Sequence, residues 1–104
     1  MSTISHNDTK SPELQAFIIE PVLSCCLCSV SFNFLLKAIQ KRFQISCHDL
    51  KIYLFYMIEY DVLSYNGQKQ SYEIEEGGLN LLSMIKKEKT QGKVNIKDIT
   101  IRFE

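Results

Sequence analysis

The chain has no surplus of either charge: Lys and Arg together number 12, and Asp and Glu together number 12. That excludes a non-specific nucleic-acid coat, which works through a large positive excess, but not a binder whose charge is local. No apolar run reaches the roughly 18 residues that a membrane span needs. The first 13 residues are polar and hold no apolar core of a secretory signal. A cytoplasmic protein with reduced thiols is therefore expected, with no membrane partner. Internal repeats and low-complexity tracts are missing, as are a phosphate-binding loop, a nucleophile elbow and a paired metal motif. There are two histidines, and His6 sits in the polar N-terminal stretch. Glu73, Glu75 and Glu76 cluster without a basic or metal-binding neighbour in sequence and read as solvent-facing. No enzymatic activity, cofactor or metal site is expected.

What is present suits one domain. A chain of 104 residues buries about two-thirds of its unfolded surface, enough for a core without staples. Residues 1–10 are expected to be a disordered tail, 11–90 the domain, and 91–104 a C-terminal extension that reads as a strand. The stretch 31–51 holds Lys37, Lys41, Arg42 and Lys51 against Asp49 alone, a local +3 that the rest of the chain balances with −3.

Periodicity then marks the elements. Ser11, Pro12 and Glu13 look like a helix start, with a capping serine, a proline at the first position and an acid in the first turn. Leu14, Phe17, Ile18, Val22 and Cys25 follow at helical spacing, with a kink expected at Pro21. Ser31 is placed to cap a second helix over 32–43, whose inward stripe is Phe32, Leu35, Leu36, Ile39 and Phe43 and whose wet face is Lys37, Gln40 and Lys41. Ser46 and Asp49 have capping-box spacing for a third helix over about 46–60, with Leu50, Tyr53, Leu54, Met57 and Ile58 inward. Asn66-Gly67 between two β-prone runs predicts a hairpin over 62–74 that puts Leu63, Tyr65, Tyr72 and Ile74 on one face, whether its loop has two residues or four. After the Gly77-Gly78 break, Leu79, Leu82 and Ile85 form the inward stripe of a fourth helix. Ile99, Ile101 and Phe103 alternate with polar residues, as in a short strand. The fold class is thus α+β and mostly helical.

This order resembles the winged helix-turn-helix family, in particular small archaeal transcription regulators and related bacterial ones. The residues that carry the resemblance are 32–39 for the second helix, Ile45-Ser46 for the turn, and Leu50, Leu54 and Ile58 for the recognition-helix stripe. Val62-Leu63-Ser64-Tyr65 corresponds to the first wing strand, and 72–79 to the second strand and the start of the last helix. The family's version of that last segment runs tyrosine, any residue, isoleucine, threonine, two residues, glycine, leucine. Two positions depart from the pattern. Asp61 stands where the family ends its third helix with glycine, and aspartate tolerates the left-handed backbone better than most residues. Glu75 stands where the family caps its fourth helix with threonine, and glutamate caps poorly.

The resemblance implies a sequence-specific DNA-binding regulator, with double-stranded DNA as partner. The third helix would enter the major groove, and the wing would lie on backbone or minor groove. His48, Asp49, Lys51 and Ile52 would face base edges, with Ser46 at the helix start. Lys41, Arg42 and Gln44 would meet phosphates, and Asn66, Gln68, Lys69 and Gln70 would form the wing contact. Plainer roles stand beside these. Asp49 is more simply a helix cap, Lys41 and Arg42 a solvated face, and His48 a neutral exposed side chain.

Ile52, Phe55 and Tyr56 make the third helix greasy on more than its core side. Either Phe55 and Tyr56 pack under the wing or against the first helix, or this face meets a protein, which would make the domain an interaction module. Ile19 and Leu23 on the first helix and Leu81 and Met84 on the fourth fall off the inward stripes, and a contiguous apolar set of this kind marks an interface. A homodimer through them is expected, since a two-fold pair reads two half-sites about one DNA turn apart. Cys25, Cys26, Cys28 and Cys47 fit no standard zinc spacing and are best read as core packing, with a thiol sensor or metal site as the lesser readings.

Overall fold

The first helix carries hydrophobic residues on nearly every face, and such a helix belongs at the centre of a fold. In the structure, a computed structural model that describes residues 13–92 and 95–103, it does. The element order is β1 (Glu13–Gln15), α1 (Ala16–Cys25), α2 (Phe32–Gln40), α3 (Cys47–Glu59), β2 (Leu63–Asn66), β3 (Ser71–Ile74), α4 (Glu76–Gln91), a 3-10 turn (Ile96–Asp98) and β4 (Thr100–Arg102). The class is α+β: β1 pairs with β4 and β2 with β3 in two small antiparallel sheets, beside four α-helices among the described residues. The expected disorder of 1–10 and the Ser11-Pro12 helix start lie outside those residues.

Ala16, Ile18, Ile19, Pro21, Val22 and Leu23 of α1 are all buried, enclosed by α2, α4, β1 and the 3-10 turn. Ile19 and Leu23, expected as leftover surface, are 0% exposed and available to no partner. The helix continues through Pro21 without restarting. Its one charged residue, Glu20, receives both hydrogen bonds of the Lys89 ammonium, at 2.9 and 3.0 Å, tying α1 to α4.

Helix α1 starts later than its sequence suggests. Glu13, Leu14 and Gln15 form a strand in register with Arg102, Ile101 and Thr100, and the Ala16 N–H donates to the Ile99 carbonyl. Strand pairing thus overrides a local helix-start signal. The C-terminal extension joins the core: Phe103 is buried and stacks at 5.3 Å on Tyr60, the C-cap of α3, and Leu14, paired with Ile101 across the strands, is buried as well.

Helices α2 and α3 begin where their serines predict. Ser31 Oγ accepts from the Phe34 N–H and Ser46 Oγ from the Asp49 N–H. Leu35, Ile39, Leu50, Leu54 and Met57 fill the core, each full burial worth about 1.5–3 kcal/mol. Helix α2 ends at Gln40, three residues short of the predicted 43, and the Gln40 side chain holds the following turn by donating to the Ile45 carbonyl. Helix α3 ends in a Schellman arrangement. Asp61 is left-handed (φ 62°), Val62 N–H donates to the Met57 carbonyl, and Asp61 N–H donates to the Ile58 carbonyl. Asp61 therefore fills a place that favours glycine.

The fourth helix is rotated relative to expectation. Its buried positions are Gly78, Leu82 and Ile85, with Leu81 half-buried, whereas Leu79, expected inward, is 48% exposed. The cause is a close approach. A Cβ on Gly78 would stand 2.3 Å from the Val62 carbonyl oxygen and 2.6 Å from Ile74. Gly78 presses on the α3–β2 junction, and Leu79, one residue on, turns outward. Glu75 occupies the N-cap without a side-chain cap hydrogen bond, as its poor capping chemistry predicts.

Candidate functional site

Three segments converge around α3. The first is the turn after α2, where Lys41, Arg42 and Gln44 are exposed. The second is the first half of α3 itself. The third is the hairpin, which begins after only Tyr60, Asp61 and Val62. Its register pairs Leu63 with Ile74 and Tyr65 with Tyr72, so the four predicted side chains share one face. The loop is the four-residue alternative. Asn66 Oδ1 accepts from the Gln68 and Lys69 N–H groups, and the left-handed residue is Gln70 (φ 51°) rather than Gly67.

Val30, in the break between α1 and α2, is a strand-like element that periodicity misses. Its N–H donates to the Tyr72 carbonyl at 3.1 Å and its carbonyl accepts from Tyr72 at 2.7 Å, an antiparallel bridge that adds a third stretch of backbone to the hairpin. One bridged residue has no alternation to read. Ile74 N–H donates to the Cys26 carbonyl, and Ser29 Oγ donates to Glu73 and lies 3.2 Å from Ser71 Oγ. Glu73, expected free in solvent, is thus half-buried and holds the Ser29 loop.

Ser46, His48, Asp49, Lys51 and Ile52 are exposed at the start of α3, as are Gln68, Lys69 and Gln70 at the hairpin tip, and Asn66 is half-buried. Two of these side chains already have structural work. Ser46 caps α3 and Asn66 closes the loop. Arg42 lies over the Phe43 ring and Lys51 over the Phe32 ring, each 5.6 Å from the centroid.

The apolar side of α3 is equally well defined. Ile52 is 38% and Phe55 58% exposed. Tyr56 is half-buried and meets the Phe55 ring edge-on at 5.4 Å. Phe55 opens onto a groove of about 520 Å³, lined from α3 also by Lys51, Leu54 and Ile58. Phe32 and the hairpin tyrosines Tyr65 and Tyr72, whose rings lie 4.9 Å apart, complete it. Phe32, Ile58, Tyr65 and Tyr72 all belong to inward stripes in sequence. Their incomplete burial reflects the gap that the hairpin leaves over α3.

The cysteines divide. Cys26 is core, and burial, with the neighbouring Cys25 second, pushes its thiol up to about 12. Burial also raises the Cys25 thiol, partly opposed by Arg42. Cys28 and Cys47 are exposed, contrary to the core-packing expectation. Burial raises the Tyr72 phenol, helped by Tyr65 and then Cys26. Among the described residues no three His, Cys, Asp or Glu side chains converge as a metal site, and no helix is long and apolar enough to cross a membrane.

No family model, curated protein or solved structure matches this chain.

Proposed function

We propose that this protein is a winged helix-turn-helix regulator that binds double-stranded DNA, with α3 in the major groove and the β2–β3 hairpin on the backbone or minor groove. The observation that carries the reading is the seat of the hairpin. It follows α3 directly, bridges through Tyr72 to Val30 between α1 and α2, and is locked by Gly78 of α4 against Val62. That order leaves the first turns of α3 and the hairpin tip free for a duplex. His48 and Lys51 supply donors for guanine edges or phosphate. Asp49 supplies an acceptor for cytosine, and Ile52 an apolar contact for a thymine methyl. Lys41, Arg42, Gln44 and the tip residues Gln68, Lys69 and Gln70 supply phosphate contacts.

A gel-shift titration against duplexes from the native promoter region, at two salt concentrations, tests this. Lys51→Ala is expected to weaken binding by about 1–3 kcal/mol, and Lys69→Ala to flatten the salt slope by about one unit. Absence of binding to every such duplex overturns the reading. A homodimer belongs to the same proposal, now restricted to α4, where Met84 is 48% exposed. Light scattering should give a dimer mass that Met84→Lys reduces to a monomer.

The exposure of Ile52 and Phe55 favours a second reading, a winged-helix module that binds a protein through the outer face of α3. A Phe55→Lys variant separates the two: it leaves every proposed DNA contact in place and abolishes a protein contact through the exposed Phe55 ring.

A further inference from the structure

We infer that the groove between α3 and the hairpin is a binding site for a small apolar carboxylate. Its volume, about 520 Å³, lies within the ~300–1,000 Å³ typical of small-ligand sites. Its walls are aromatic and aliphatic, and the polar groups that residues of this lining can present are few: the Lys51 ammonium and the Tyr65 and Tyr72 hydroxyls. No acidic residue lines it, and among the described residues Lys51 forms no ion pair. One cation beside an apolar surface, with no counter-charge, selects a monoanion with an apolar body. The ammonium donates a charge-assisted hydrogen bond to the carboxylate, and a phenyl or alkyl body covers Phe55, Leu54 and Ile58. A folded partner fits poorly. The groove follows α3 only from Lys51 to Ile58, about 10 Å at 1.5 Å per residue, and stable protein interfaces bury far larger areas.

The inference stands on the groove alone and does not require DNA. If DNA is the partner, Lys51 serves both ligands, and the carboxylate competes with the duplex for it.

The test is a titration of the full-length, nitrogen-15-labelled chain with 4-phenylbutyrate, followed by amide chemical shifts with no DNA present. Saturable shifts are expected at Lys51, Phe55, Ile58, Tyr65 and Tyr72. The uncharged 4-phenylbutanol is expected to bind about tenfold more weakly, the ratio that loss of one charge-assisted hydrogen bond gives. Lys51→Gln, a surface change, should weaken the carboxylate by a similar factor and leave the alcohol unaffected, whereas Lys97→Gln in the 3-10 turn changes neither. Three outcomes overturn the inference. One is equal binding of acid and alcohol, which would mark an undiscriminating apolar surface. Another is shifts that do not saturate or lie elsewhere. The third is groove shifts that change with protein concentration before probe is added, which would give the groove to a second copy of the chain.

Discussion

The two small sheets use strands of similar length, yet they are closed by very different amounts of chain. Strands β2 and β3 are joined by the four residues 67–70, whereas 16–99 separate β1 from β4. For a free chain, closing the longer loop costs about 3 kcal/mol more. The hairpin thus has a local route to formation, and Asn66 pins its turn. The terminal sheet waits for the core to bring its strands together, and then depends on Leu14, Phe103 and the Tyr60 stack. The two regions also differ in what they position. The hairpin frames the groove and the exposed face of α3, while the terminal sheet seals α1 and binds α3 from another side through Tyr60 and through Tyr53, whose hydroxyl accepts from the Gln15 N–H.

The most damaging substitution should strike the hairpin side. Gly78→Ala places a Cβ against the Val62 carbonyl and the Ile74 side chain, and the carbonyl cannot retreat without moving the α3–β2 junction or α4. A loss of about 3 kcal/mol is expected in urea unfolding, accompanied by faster amide exchange at Tyr72 and Ile74. A loss below 1 kcal/mol would mean that α4 is not seated by this glycine.

Phe103→Ala should cost about 2 kcal/mol, below the range for a central phenylalanine because it follows a three-residue strand in a two-stranded sheet. Hydrogen exchange sharpens the contrast here. Protection is expected to fall at Gln15, Ala16 and the β4 amides while the hairpin stays protected. Equal loss in both sheets would show that they open as one unit.

Alkaline pH should act on the hairpin side as well, because the Cys26 carbonyl holds Ile74. The Cys26 thiol is raised from 9.0 to about 12 in the fold. Its contribution is therefore fully present below pH 9 and is lost as pH rises toward 12, where the unfolded chain holds fewer protons than the native one. The expected slope approaches one proton, about 1.4 kcal/mol per pH unit, within that window. Cys26→Ala should lose that proton from the slope, leaving only the smaller contribution of the raised Cys25 and Tyr72. A wild-type stability curve that is flat from pH 9 to 11 would contradict it.

The smallest effect is a gain. Asp61→Gly relieves a left-handed residue at the end of α3 and should stabilise the protein by about 0.5–1 kcal/mol, measured as a higher urea midpoint at unchanged slope. A destabilised variant would show that the aspartate side chain contributes more than its backbone strain costs.

Much of this architecture was legible beforehand because its causes are local. Ser31 and Ser46 cap helices through bonds three residues long, Asn66 organises its own turn, and the core stripes of α2 and α3 repeat at helical spacing. The hairpin face followed from parity alone. The candidate contacts of α3 and the hairpin tip were legible in the same way, as polar residues off a core stripe. The groove was not, because Phe32, Ile58, Tyr65 and Tyr72 carry the same inward signature whether a gap closes over them or stays open.

Sequence by itself therefore determined the α+β class, the helix caps, the hairpin and its turn site, and the left-handed role of Asp61. Each depends on residues within a few positions of one another. Tertiary structure alone decided that 13–15 is a strand, that Val30 bridges to Tyr72, that Ile19 and Leu23 are enclosed, and that Leu79 faces outward. Each of those outcomes depends on what lies across the fold. A strand needs a partner, a helix face is inner or outer only by reference to its neighbours, and the rotation of α4 is set by how closely Gly78 lets it approach the Val62 carbonyl.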